Sequence, residues 1–68
     1  MNLSILGKVI RERRQQLALN QETLSKQSQV AIKTIHSVEL GKGNPSVKTL
    51  TNLLDVLGLE MIIIERKQ

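Results

Sequence analysis

The sequence predicts an all-α fold: a compact bundle of four short helices around one small core, closed by a C-terminal β-strand that pairs across a homodimer. Three observations predict it. Apolar residues recur at helical spacing in four segments, each bounded by capping or breaking residues. Three consecutive β-branched residues, Ile62, Ile63 and Ile64, follow the glycine that stops the fourth segment, and they suit an extended chain. No other segment reads as a strand, so this one has no mate within its own subunit.

Size and composition bound the partners. A chain of 68 residues is one domain, and it buries only about 60% of its unfolded surface. It has no cysteine for a disulfide, and its one histidine without thiols makes a structural zinc site implausible. An oligomer is the remaining usual route to stability. The net charge of +4 favours a polyanion. The absence of Phe, Tyr and Trp argues against single-strand or RNA recognition, which relies on stacking platforms. No apolar run approaches the ~20 residues of a membrane span and no signal-peptide core is present, so a cytoplasmic location is expected. An enzyme has no support: there is no glycine-rich phosphate loop, no second group beside the His36-Ser37 pair, and too little bulk to wall off a cleft. No metal or cofactor is expected.

The first segment, residues 3–17, places Leu3, Leu6, Ile10 and Leu17 roughly on one face, with Arg14 close to it. Gly7, mid-helix at about 1 kcal/mol relative to alanine, suggests close approach of a neighbouring helix. Lys8, Arg11 and Arg13 with Glu12 read first as a solvated face, with phosphate contact by one of them as the second reading. Leu17 and Leu19, in the link to the next segment, are expected in the core.

Residues 20–41 organise the rest. Asn20 is a good N-cap, and Leu24, Val30, Ile35 and Val38 are the apolar positions of two segments too short to stand alone. Residues 27–30 separate them, giving a helix-turn-helix. Turning Ile35 and Val38 inward leaves Ile32, Lys33, His36 and Ser37 on the outer face, a pattern that suits a helix laid in the major groove of DNA.

In the following loop Gly41 can take the left-handed conformation past a helix end, while Asn44-Pro45-Ser46 forbids further helix and restarts one with Ser46 as cap. Lys42, Asn44 and the free N–H groups here can meet a phosphate; a plain solvated loop is the equal alternative. The fourth segment, 47–57, carries Val47, Leu50, Leu53 or Leu54, and Leu57 at helical spacing, and Gly58 ends it. The expected division is therefore a DNA-binding domain over 1–58, a dimerising strand over 59–65 (Leu59, Met61, Ile62, Ile63, Ile64) and a polar tail over 66–68. The blander alternatives for the strand are a fifth helix turn or a frayed end.

The series Leu6-Gly7, Ile10-Arg11, Arg14, Leu19-Asn20-Gln21-Glu22, Leu24, Val30, Thr34-Ile35, Glu39, Gly41-Lys42 and Asn44-Pro45-Ser46 resembles the Cro/C1-type helix-turn-helix domain of lambdoid phage repressors and XRE-like regulators, with its lambda-repressor-like fold. The tail after Gly58 looks like that of the small HipB-type antitoxins, which pair with a HipA-like kinase toxin, dimerise through such a strand and repress their own operon. The resemblance implies a structural ion pair between Arg14 and Glu39. It implies base-edge contacts from Ala31, Ile32, Lys33, His36 and Ser37 and a phosphate contact from Gln21, with Thr34 either at a phosphate or in a structural role, on a palindromic operator. His36 reads equally well as an exposed residue without a partner. A stand-alone phage- or plasmid-type repressor and a mainly protein-binding, toxin-masking module remain as alternatives. Three positions depart from the family: Ser25 replaces a small alanine, Gln29 a turn glycine, and Ala31 a capping serine or threonine. Gln29 in a left-handed turn and Ala31 at the cap each cost about 1 kcal/mol.

Overall fold

The computed structural model describes residues 2–67. Its order is α1 (Leu3–Gln16), α2 (Gln21–Ser28), α3 (Ile32–Glu39) and α4 (Val47–Leu57). Three of the four begin on a side-chain cap. Asn2, Asn20 and Ser46 accept hydrogen bonds from the N–H groups of Ile5, Thr23 and Thr49 at 3.1, 2.7 and 3.0 Å. These bonds satisfy donors that a helix start leaves free. The exception is α3, whose cap position holds Ala31 and makes no side-chain bond. Ahead of it, the buried Ser28 hydroxyl accepts from the Val30 N–H at 3.2 Å and holds the turn.

Three helix ends share one terminator, with a left-handed residue and two reversed bonds. At Gly41 (φ 71°) the N–H groups of Gly41 and Lys42 donate to the carbonyls of Val38 and Ser37. The same pattern recurs at Gly58, and at Ala18 (φ 56°), where a non-glycine residue absorbs the strain. Gln29 is also left-handed (φ 60°), so the departure from glycine there does carry the conformational cost.

The core consists of Ile10, Leu24, Val30, Ile35, Val38, Leu50, Leu53, Leu54 and Leu57, with Leu6, Leu19, Val56 and Leu59 packed against it. Both α1 and α2 pack on α3 and on α4. Gly7 lies where α1 crosses the end of α3: a Cβ there would overlap the Val38 carbonyl oxygen and sit 3.0 Å from that of Glu39. Two expected core residues are not in it. Leu17 is 39% exposed because α1 ends just before it, leaving it on the turn. Val47 is 71% exposed: Leu53 and Leu54 are both buried, and the stripe they define leaves Val47 on its edge in the first turn.

The expected C-terminal strand is not formed in the single subunit. Among the described residues there is no strand, and residues 59–67 have neither regular secondary structure nor a fifth helix turn. Leu59 packs on the core, while Ile62, Ile63 and Ile64 lie exposed. An extended segment with no neighbouring backbone has no partner for its N–H and C=O groups, so nothing within the chain defines it as a strand.

Candidate nucleic-acid interface

The second helix of the motif, α3, is about 12 Å long at ~1.5 Å per residue, comparable with the width of the major groove. Ile35 and Val38 turn into the core. The same rotation exposes Ala31, Ile32, Lys33 and His36 and leaves Thr34 and Ser37 half-buried.

Two surface grooves flank the exposed face. Lys33, Thr34 and Ser37 from α3, with Lys42, Asn44 and Pro45 from the following loop, line one of about 290 Å³. This groove brings two sequence-expected base readers, Lys33 and Ser37, beside three expected phosphate contacts, Thr34, Lys42 and Asn44. Left-handed glycines at 41 and 43 fold the loop back past α3, which lets it join the groove. Two ammonium groups on one concave surface, with hydroxyl and amide groups between them, suit a phosphate backbone at the edge of a base-pair stack. Ala31 and Ile32 line neither groove and stand exposed at the start of α3.

His36 faces the other way, into a groove of about 210 Å³ lined by Arg11, Arg14, Gln21, Glu39 and Leu40. Arg11, exposed as expected of a solvated face, thus lies on the α3 side of the molecule. The available signal was its i, i+3 spacing from Arg14, which puts both on one helix face.

Behind this groove α3 is pinned. Arg14 donates from Nε to Glu39 Oε2 at 2.7 Å and from Nη2 to Oε1 at 2.9 Å, a bidentate fork. Its Nη1 donates to the Leu19 carbonyl at 2.8 Å, so one guanidinium joins α1, the α1–α2 link and the end of α3. Gln21 is expected at a phosphate, yet its amide donates to Glu39 Oε1 at 3.2 Å and braces the pair. Arg13, expected on the solvated face of α1, is instead half-buried. Its Nε donates to the Leu57 carbonyl at 2.9 Å and closes the C-terminal end of α4. A contact across 44 residues has no local signature.

Burial pushes the Glu39 carboxyl up. Hydrogen bonds from Arg14 and Gln21, with the positive charges of Arg14 and Arg11, outweigh this and hold its pKa below the usual glutamate value. The hydrogen bond to Glu39 in turn raises Arg14, against the opposing effect of its own burial. The folded state therefore binds the Glu39 proton less readily than the unfolded chain does. The stability this contributes is fully present above the unfolded pKa of about 4.3, and it is lost as pH falls through that value toward the lower folded one. Urea midpoints measured between pH 6 and pH 3 are expected to fall, and Glu39→Gln to flatten that part of the slope. An unchanged slope in Glu39→Gln would assign the acid sensitivity to other carboxylates.

The other described charges form no comparable cluster: the one further ion pair, Glu22 with Lys26, is exposed at 3.4 Å. Among the described residues no helix is long and apolar enough to cross a membrane. A family model described as Helix-turn-helix matches residues 10–64, most of the chain. No curated protein matches the sequence significantly.

Proposed function

This chain belongs to the Cro/C1-type helix-turn-helix family of DNA-binding transcription regulators, and from that premise we propose that it is a dimeric repressor reading a palindromic operator. The supporting observation is the groove in which Lys33 and Ser37 meet Thr34, Lys42 and Asn44. Lys33 donates to a guanine edge, and Ala31 and Ile32 pack on thymine methyls at the start of α3. His36 and Ser37, one turn on, complete the readout. Thr34, Lys42 and Asn44 hold the backbone on one side. Gln21 and the α2 N-terminus approach it on the other, the amide of Gln21 remaining shared with Glu39. Two subunits set their α3 helices in successive major grooves about 34 Å apart.

The operon role is narrower. The likeness of the tail to HipB-type antitoxins supports autorepression coupled to neutralising a HipA-like kinase toxin. The exposed Ile62, Ile63 and Ile64 favour a protein partner of some kind. A kinase-like reading frame next to the gene, and copurification of its product, separates the antitoxin from a stand-alone repressor.

A gel shift with the DNA upstream of the gene tests DNA reading. The wild-type chain is expected to bind with an affinity that falls linearly in log–log coordinates as salt is raised. Lys33→Ala is expected to lose about 1–3 kcal/mol of discrimination at one base pair. A chain shortened after Leu59 keeps the α4 terminator, and it is expected to retain its helical circular dichroism while losing cooperative two-site binding. If Lys33→Ala ranked operator variants as the wild type does, the base-reading role of Lys33 would be wrong.

A further inference from the structure

We infer that Arg11 is a phosphate contact of this chain, gripping the DNA strand on the His36 side of α3 while Lys42 and Asn44 grip the strand on the other side. The inference rests on the DNA-reading proposal above and deepens it by assigning one further residue to the interface.

Three observations carry it. The first is position. Gly7, Arg11 and Arg14 recur at i, i+4 and i+7, so they share one face of α1. Gly7 is where that face meets the α3 backbone, and Arg14 is bonded to Glu39 at the end of α3. Arg11 stands between them, exposed, in the groove it shares with His36.

The second is charge. That groove sets two guanidinium groups, Arg11 and Arg14, against one carboxylate, Glu39. Both carboxylate oxygens are taken, since Arg14 donates to each and Gln21 to one of them. Arg11 is near enough for its charge to help hold the Glu39 carboxyl below its usual range. Yet among the described residues it has no hydrogen bond or ion pair of its own. It is a surplus cation beside the reading helix. Gln21 brings no charge to this flank, and its amide is shared with Glu39.

The third observation separates Arg11 from the other cations of α1. Arg13 is turned to α4, donating to the Leu57 carbonyl and to Gln16. Lys8 sits about 100° round the helix from Gly7 and lines neither groove beside α3. A helix seated in the major groove has a phosphate strand on each side of it. With Arg11 on one flank of α3 and Lys42 on the other, each strand meets a cation. A guanidinium suits this task, because its parallel N–H donors fit two phosphate oxygens at once.

Fluorescence anisotropy on the DNA upstream of the gene, across a salt series, tests the assignment. Each phosphate contact contributes about 0.9 to the log–log salt slope, so Arg11→Gln is expected to flatten it by about 1.8 for a dimer. The variant is then expected to bind about tenfold more weakly than wild type at about 50 mM salt, and nearly as well at about 200 mM. It is expected to rank operator variants as the wild type does, because a phosphate carries no sequence. Arg11→Lys is expected to keep the wild-type slope, and Lys8→Gln likewise. The urea midpoint of Arg11→Gln is expected to match wild type, because the side chain is exposed and bonds to nothing in the fold. An unchanged slope in Arg11→Gln, a changed ranking of operator variants, or an equal flattening in Lys8→Gln would overturn the contact while leaving DNA reading intact. A wild-type chain whose DNA binding does not depend on salt would overturn the DNA-reading proposal as well.

Discussion

Gly7→Ala will lower the thermal midpoint by about 8–16 °C, although alanine is the better helix former. The added Cβ overlaps the Val38 carbonyl and crowds that of Glu39. Both obstacles are backbone, so no side-chain rotation relieves them. Forcing a group into packed structure costs about 1–3 kcal/mol, here at the upper end, and the gain in helix propensity returns about 1. The net loss of about 2 kcal/mol converts to that shift in a domain of this size. Lys8→Ala, one residue on and exposed, is the control and is expected to stay within about 0.5 kcal/mol of wild type. The crossing lies at the end of α3, so operator affinity is expected to fall beyond what the unfolded fraction accounts for. A Gly7→Ala midpoint within about 2 °C of wild type would mean that α1 and α3 do not cross this closely.

Arg14→Met will cost more, about 3–5 kcal/mol. It removes two bonds to Glu39 and one to the Leu19 carbonyl, and it leaves a carboxylate that is only 9% exposed with Gln21 as its remaining bonded partner. A domain this small rarely holds more than about 3–5 kcal/mol in total, so the variant is expected to be largely unfolded at 25 °C without DNA. Arg14→Lys fails for a different reason: an ammonium cannot span two carboxylate oxygens and a carbonyl in one plane. Arg14→Met with Glu39→Met is expected to recover most of the stability, since it leaves no buried charge unpaired. Its operator affinity is still expected to be below wild type, because nothing then orients the end of α3. Urea unfolding of the four proteins, with gel shifts on the stable ones, checks this. A double variant no more stable than Arg14→Met would show that the fork matters for its own bonds rather than for compensating a buried charge.

The distance between sequence and structure is small where the physics is local. Asn20 and Ser46 cap through bonds three residues away, and Gly41 turns left-handed because the chain must reverse there. Gln29 and Ala31 depart from the family at positions where the backbone or cap does lose something. The sequence went wrong at element edges. Leu17 and Val47 satisfy the helical period, but a period does not say where the neighbouring layer stops. Ala18 takes a glycine's conformation without glycine's signal.

The functional face divides in the same way. That Lys33, His36 and Ser37 share the outer side of one helix follows from 3.6 residues per turn. That Lys33 and Ser37 share a groove with Lys42 and Asn44, while His36 lies with Arg11 on the other flank, depends on how the loop returns across α3.

Sequence alone therefore determined the four helices, most of their caps, the inward stripes and the family, because each is set by neighbours within about one turn. Tertiary structure alone decided that Arg13 closes α4, that Gln21 braces Glu39, and that it is the α3 backbone that Gly7 admits. These are contacts between residues far apart in the chain, and hydrophobic periodicity carries no record of which distant group will arrive.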